Sequence, residues 1–121
     1  MSTVNVEVRH DPSRINREKL LPLAVVLPKI VAEAMSCSEI SDGPVFLNEV
    51  RVALVQAFPA ETLNAEPVEI NVFAHARSER IKNVRERRRA IAEKAKEFLP
   101  KGTRCILNVF LVPISSERFE S

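Results

Sequence analysis

Apolar and polar residues alternate over residues 4–9, with Val4, Val6 and Val8 on one side and Asn5, Glu7 and Arg9 on the other. A period of two is the pleat of a strand, so this segment predicts a half-buried strand, ended by His10, Asp11, Pro12 and Ser13. Over residues 16–36 the period becomes helical. Leu20, Leu23, Leu27, Ile30, Val31, Ala34 and Met35 recur at spacings of about three and four, Asn16 can cap the helix, and Glu18 lies in a first turn that favours negative charge. Leu21, Val25 and Val26 widen the stripe, which predicts a helix covered on more than one side. Pro22 and Pro28 each remove a backbone donor and predict a late start or a kink.

Alternation returns over residues 48–58, with Val50, Val52 and Leu54 opposed to Glu49, Arg51 and Ala53, and over 68–75, with Val68, Ile70 and Val72 opposed to Glu69, Asn71 and Phe73. Residues 59–67 read as irregular. A second helix is expected over 78–99, capped by Ser78, facing inward through Ile81, Val84, Ile91, Ala95 and Phe98, and stopped by Pro100 and Gly102. The last strand, 103–114, places Cys105, Leu107, Val109 and Leu111 on one face and Arg104, Ile106, Asn108 and Phe110 on the other. The order strand, helix, strand, repeated once, predicts an α/β domain of two fused β-α-β units. Each is a right-handed crossover, and together they form a two-layer sandwich, one mixed sheet with two helices on one face. A ferredoxin-like fold shares the order and is the alternative. The uncovered face would be mixed: Asn5, Glu7, Arg9, Glu49, Arg51, Glu69, Asn71, Arg104 and Asn108 among Phe73, Ile106 and Phe110, which suits a wet site or a subunit interface.

Composition narrows the chemistry. With 121 residues, 45% hydrophobic and 28% charged, the chain is one domain able to bury a core without disulfide or metal staples. Two isolated glycines, Gly43 and Gly102, exclude a phosphate loop and a dinucleotide fingerprint. Cys37 and Cys105 lack the spacing of a zinc or redox motif. No cofactor or metal is therefore expected. Without a secretory leader pattern, and with an apolar run at 20–27 interrupted by Pro22, the sequence predicts no membrane association and a cytoplasmic location. The net charge of +2 divides unevenly, with six basic and eight acidic residues in 1–63 and twelve and eight in 64–121.

Several residue types carry candidate chemistry beside an ordinary structural role. Arg51 on a sheet face can grip a carboxylate as a bidentate fork, or pair with Glu49, Glu69 or a neighbouring subunit. Arg14 and Arg77 precede helices, where the dipole disfavours a cation and a ligand or acidic partner is favoured; exposed arginines in such loops are otherwise simply solvated. Asn108 can stabilise a developing oxyanion or satisfy a cross-strand hydrogen bond. His10 and His75 end strands and could form a proton-transfer pair, but have no partner at metal-ligand spacing. The second helix carries Arg77, Arg80, Lys82, Arg85, Arg87, Arg88, Arg89, Lys94 and Lys96 against Glu79, Glu86, Glu93 and Glu97. Nucleic acid or an acidic protein is one reading of this excess. Supportive spacings such as Glu86 before Arg89 and Glu93 before Lys96, and the lack of a stacking platform beyond Phe73 and Phe110, favour a solvated face instead.

An internal repeat organises these residues. VNVEVRHDPSRINREK at 4–19 and VEINVFAHARSERIK at 68–82 share a strand, a short linker, an arginine beside a serine and a charged helix start, offset by half the chain. The halves are therefore read as pseudo-repeats 1–63 and 64–121. Fused β-α-β units of this size resemble the tautomerase superfamily, in particular its macrophage migration inhibitory factor-like branch. The sequence Val50, Arg51, Val52 looks like the valine-arginine-valine of the family strand whose arginine binds a substrate carboxylate. Arg14 and Arg77 stand where the family places an arginine before its helix, and Asn108 matches a family site asparagine.

The resemblance implies a homotrimer and, where activity persists, an isomerase: keto-enol tautomerisation of a small 2-oxo acid. Arg51, Arg77 and Arg14 would bind its carboxylate, and Asn108 would stabilise the enolate oxygen. One departure weakens the chemistry. The family's base is an N-terminal proline, whereas position 2 is Ser2, and Pro67, its counterpart in the second half, has an amide nitrogen that cannot accept a proton. After removal of Met1, the Ser2 α-amine would titrate near ~8 and supply only a weak base.

Overall fold

The computed structural model describes residues 3–38, 43–57, 66–113 and 117–121. Four strands, β1 (Val4–His10), β2 (Val50–Gln56), β3 (Val68–His75) and β4 (Cys105–Val112), form one sheet in the order β2-β1-β3-β4. β1 runs parallel to β2 from Val4 opposite Val50 to His10 opposite Gln56, and β3 runs parallel to β4 from Val68 opposite Cys105 to His75 opposite Val112. The two pairs join through antiparallel β1 and β3, with Asn5 opposite Phe73 and His10 opposite Val68. Each β-α-β unit thus keeps its strands adjacent. That excludes the ferredoxin-like alternative, whose units are split so that strands of one half separate those of the other. Exchanging β1 with β3 and β2 with β4 maps the sheet onto itself, and the expected boundary at residue 63 lies outside the described residues.

The helix α1 (Leu21–Met35) follows a 3-10 turn at Arg17–Leu20, whose cap is Asn16: its Oδ1 accepts the Glu18 backbone N–H at 2.9 Å. Pro22 falls in the first turn of α1, where its missing donor costs nothing, so the late start is observed; Pro28 is carried inside the helix. The second helix is not continuous. It consists of α2 (Ser78–Lys82) and α3 (Val84–Ala95), separated by Asn83 at φ −129°, ψ 33°, and the residue preceding α2 is Arg77 with no side-chain cap, not Ser78. A final 3-10 turn, Lys96–Phe98, precedes β4.

Both helices lie on one face. α1 packs against α3 and β2, and α3 against β4, over Val4, Val6, Val8, Val68, Ile70 and Val72, all essentially inaccessible to water. α1 contributes Leu23, Leu27, Ile30, Val31 and Met35 to this single core. The sheet and α3 cover it on more than one side, although Leu21 is exposed and Val25 is 78% exposed. Among the described residues no helix is long and apolar enough to cross a membrane.

Candidate functional site

The helix-free sheet face is laid out by strand register. Odd-numbered residues of β1, β2 and β3 and even-numbered residues of β4 point away from the helices, so three rows cross the sheet: Arg51, Asn5, Phe73, Phe110; then Ala53, Glu7, Asn71, Asn108; then Val55, Arg9, Glu69, Ile106. In the first row Phe73 and Phe110 stack, with ring centroids 5.0 Å apart and planes 12° from parallel. In the second, the Asn108 amide nitrogen donates to Asn71 Oδ1 at 3.0 Å, Asn71 Nδ2 donates to Glu7 Oε1 at 3.4 Å, and Arg9 lies 3.7 Å from the same carboxylate. The polar row is knit across three strands, while Ile106 and Phe110 remain 45% and 42% exposed beside it.

The residues expected to form a site are not gathered within one protomer. Arg51 sits near the start of β2, opposite Asn5, and Arg77 follows the end of β3; antiparallel pairing puts both toward the sheet end where β1 begins. Arg14 follows the end of β1, about 20 Å away along a seven-residue strand. Arg51 and Asn108 occupy opposite edge strands, three strand spacings or about 14 Å apart. Ser2 lies outside the described residues. His10 and His75 terminate antiparallel neighbours at opposite ends of the sheet, so they form no proton-transfer pair. His10 is 3% exposed, and its Nδ1 is buried without a hydrogen bond.

The basic second helix changes most on inspection. Arg80 is completely buried, its Nε donating to the Met35 carbonyl and Nη1 to the His75 carbonyl, each at 3.0 Å. Arg87, also buried, donates through Nη1 to the carbonyls of Ala34 at 3.1 Å and Ser36 at 2.7 Å, and through Nε to Asn83 Oδ1 at 2.6 Å. Together these guanidinium groups satisfy carbonyls that the end of α1 would otherwise leave unpaired, at the negative pole of its dipole. Glu79 bridges Arg87, at 3.5 Å, to Ser38, whose N–H and Oγ–H both donate to it. The Ser38 hydrogen bonds hold the Glu79 carboxyl below the ordinary glutamate range, helped by Arg87 and Arg80. Lys94 and Lys96 pair with Glu33 and Glu93 at 2.9 and 2.7 Å. Lys82, Arg85, Arg88 and Arg89 are the exposed cations that remain on α2 and α3 with no ion pair among the described residues. The helix is thus partly a structural clamp, a role that the sequence reading did not assign to its arginines.

A concave site absent from the sequence reading opens at the Arg14 end of the sheet. A cavity of about 500 Å³ is lined by Arg14, Lys19, Pro67, Lys101 and Arg104 together with Asn16. Arg104 pairs with Glu66 at 3.1 Å. The turn after β1 is fixed by Asp11, whose Oδ1 accepts from Ser13 N at 2.9 Å and Ser13 Oγ at 2.6 Å and whose carbonyl accepts from Arg14 N and Ile15 N at 3.0 Å. Asp11 N in turn donates to the Pro67 carbonyl at 3.0 Å, tying this turn to the start of β3. On the far wall, Thr103 N donates to the Pro100 carbonyl at 3.0 Å across a turn that needs a positive φ at Gly102, +83°. Sequence shows Lys19 only as a charge in the first turn of a helix and Lys101 only as a charge within a stop signal; the Asn16 cap and the residues 100–102 stop signal fix their walls without revealing that the walls converge.

Both cysteines are free. Cys37 is buried; burial, with Glu66 nearby, pushes the Cys105 thiol up to about 11, which keeps it protonated at neutral pH. Among the described residues no group of His, Cys, Asp and Glu could hold a metal ion. No protein-family model and no curated protein matches the chain.

Proposed function

We propose that the protein is a tautomerase-like homotrimer that binds a small carboxylate, with weak keto-enol tautomerisation of a 2-oxo acid as the activity to test. The observation that carries this reading is the arrangement of two unsplit parallel β-α-β units about an antiparallel centre, leaving a helix-free face that a second copy can cover. Exposed Ile106 and Phe110 favour burial, and the Asn71 and Asn108 amides, already hydrogen-bonded to one another, are covered at less desolvation cost than unpaired amides. Subunit contacts would also answer the separation of the arginines. Arg51 on one edge strand and Asn108 on the other are about 14 Å apart in one chain, and meet in one site only across an interface.

In the proposed reaction a base removes a proton from carbon next to the keto group while Arg51 or Arg77 holds the carboxylate and Asn108 donates to the enolate oxygen; reprotonation at the other position completes the transfer. After removal of Met1 the Ser2 α-amine would serve as the base, a weak one that keeps turnover slow. The decisive measurement is the mass in solution by gel filtration with light scattering. Three times 13.6 kDa is expected, and a monomer across the working concentration range overturns the trimer. Turnover of an aryl-pyruvate should fall in Arg51→Ala and Arg77→Ala; turnover indifferent to both overturns the assigned roles.

A further inference from the structure

We infer that the cavity at the Arg14 end of the sheet is a binding site for a small polyanion, a molecule bearing two or more phosphate or carboxylate charges. The site takes Arg14, which the resemblance groups with Arg51 and Arg77, but it lies about a strand length from those two and requires neither the trimer nor proton transfer.

Charge is the first argument. Arg14, Lys19, Lys101 and Arg104 come from two separate turns and converge on one concavity, and the described lining contains no carboxylate. Glu66 pairs with Arg104. Among the described residues the Lys19 and Lys101 ammonium groups have no ion pair or hydrogen bond, and both residues are exposed, so the fold makes no use of their charge. Like charges gathered around one space repel, and a multivalent anion removes that repulsion while gaining attraction from every wall.

Geometry is the second. The two walls are braced by backbone hydrogen bonds, the first through Asp11 to Pro67 and the second through the turn closed by Thr103 and Pro100, so the cation-bearing segments are positioned before any ligand arrives. Preorganisation lowers the ordering cost of binding. A volume of about 500 Å³ is of the size that takes a small molecule. Its concavity suits a compact anion better than an extended nucleic-acid backbone, for which the exposed Arg85, Arg88 and Arg89 of α3 are the more accessible cations. Chemistry sets the mode: the Lys19 and Lys101 ammonium groups act as point charges that phosphate and carboxylate oxygens both satisfy, while Glu66 already engages the Nε and Nη2 edge of Arg104. Pro67 contributes shape only, since its nitrogen is an amide.

The test is calorimetric titration of the full chain at low salt with two probes, pyrophosphate and citrate. Saturable binding of one probe molecule per chain is expected, weakening as salt is added. Tighter binding of pyrophosphate assigns a phosphorylated ligand, and tighter binding of citrate a polycarboxylate. The double variant Lys19→Gln/Lys101→Gln should weaken binding about tenfold or more. Arg88→Gln/Arg89→Gln, equal in charge change but on α3, should leave it unchanged. Both variants alter exposed side chains and should keep the parent's melting temperature. Absence of saturation by either probe, equal weakening by the two double variants, or displacement of the probe by a single-stranded oligonucleotide with equal sensitivity to both would overturn the assignment. Monomeric mass in solution would remove the trimer and leave this inference standing.

Discussion

The two β-α-β units repeat one plan and fill it with opposite chemistry. In the first, α1 covers the sheet with Leu23, Leu27, Ile30 and Val31, a conventional apolar seam. In the second, the buried positions of α2 and α3 are Arg80, Arg87, Ile91 and Ala95, at spacings of seven, four and four, so two of them are arginines. The second unit can afford buried cations because the first supplies what they need: the carbonyls of Ala34, Met35 and Ser36, at the end of a helix with no basic residue in its own last turn. One helix is therefore capped by the other. The pseudo-repeat is a division of labour, in which α1 provides most of the hydrophobic surface and α2 with α3 provide the polar lock.

The largest expected effect follows from breaking that lock at its deepest point. Arg80→Ala removes the guanidinium donors of the Met35 and His75 carbonyls, leaving Met35 only the long contact from Cys37 Sγ at 3.8 Å, and opens a void, and should destabilise the chain by about 4 kcal/mol in urea titrations. Arg80→Met separates the two causes. It restores most of the volume without restoring donors, so a loss of about 2–3 kcal/mol is expected. Stability unchanged in Arg80→Met would show that the arginine is packing material and that the asymmetry between the units is one of shape.

Arg87 should matter less, because it lies nearer the surface and solvent can reach part of what it leaves behind. Arg87→Ala is expected to cost about 2 kcal/mol. Its side chain is also the partner of Asn83 Oδ1 at the break between α2 and α3, so Asn83→Ala and Arg87→Ala should be less than additive. Full additivity would mean that the break is held by the backbone alone, and that Arg87 serves only the end of α1.

The sheet was the most legible part of the chain because strand parity is local. Val4, Val6 and Val8 are buried, Asn5, Glu7 and Arg9 face the other way, and the register then assigns every neighbour. The phase of the second helix was harder for a physical reason. Hydrophobicity selects Ile81 as an inward residue, yet Ile81 is 59% exposed and Arg80 is inside. Val84, Ile91 and Ala95 already fixed the phase, and stepping back from them in threes and fours reaches Arg87 and Arg80. What sequence does not show is that carbonyls at the end of α1 await those charges, since that depends on helix against helix. The same limitation applies to α1, where Val25 belongs to an apolar run but faces solvent in the single chain. Arg14, Lys19 and Lys101 share this character. Each is ordinary in its own segment, and only the tie between Asp11 and Pro67, with the turn at Gly102, brings the segments to one cavity. Helix-to-sheet packing is written in periodicity, whereas convergence of charges is written in topology.

The smallest effect concerns Glu79, the link between the lock and the segment after α1. Its carboxyl lies below the ordinary glutamate value because Ser38 donates through both N–H and Oγ–H, with Arg87 and Arg80 adding attraction. A group whose proton affinity is lower in the folded state binds more protons when unfolded. Its stabilising contribution is therefore complete above the unfolded value of 4.5 and disappears as the pH falls through the lower folded value. Glu33 and Glu93 are lowered too, by Lys94 and Lys96, but those pairs are exposed and screened by solvent. Glu79→Gln should accordingly flatten the loss of stability between pH 6 and pH 3, while Glu93→Gln leaves the slope nearly as it is. Adding 0.5 M salt should erase whatever slope Glu93 contributes and spare most of that from Glu79, which rests first on short hydrogen bonds rather than on long-range attraction. Equal salt sensitivity of the two would make Glu79 another surface ion pair, and would confine the lock between the units to Arg80 and Arg87.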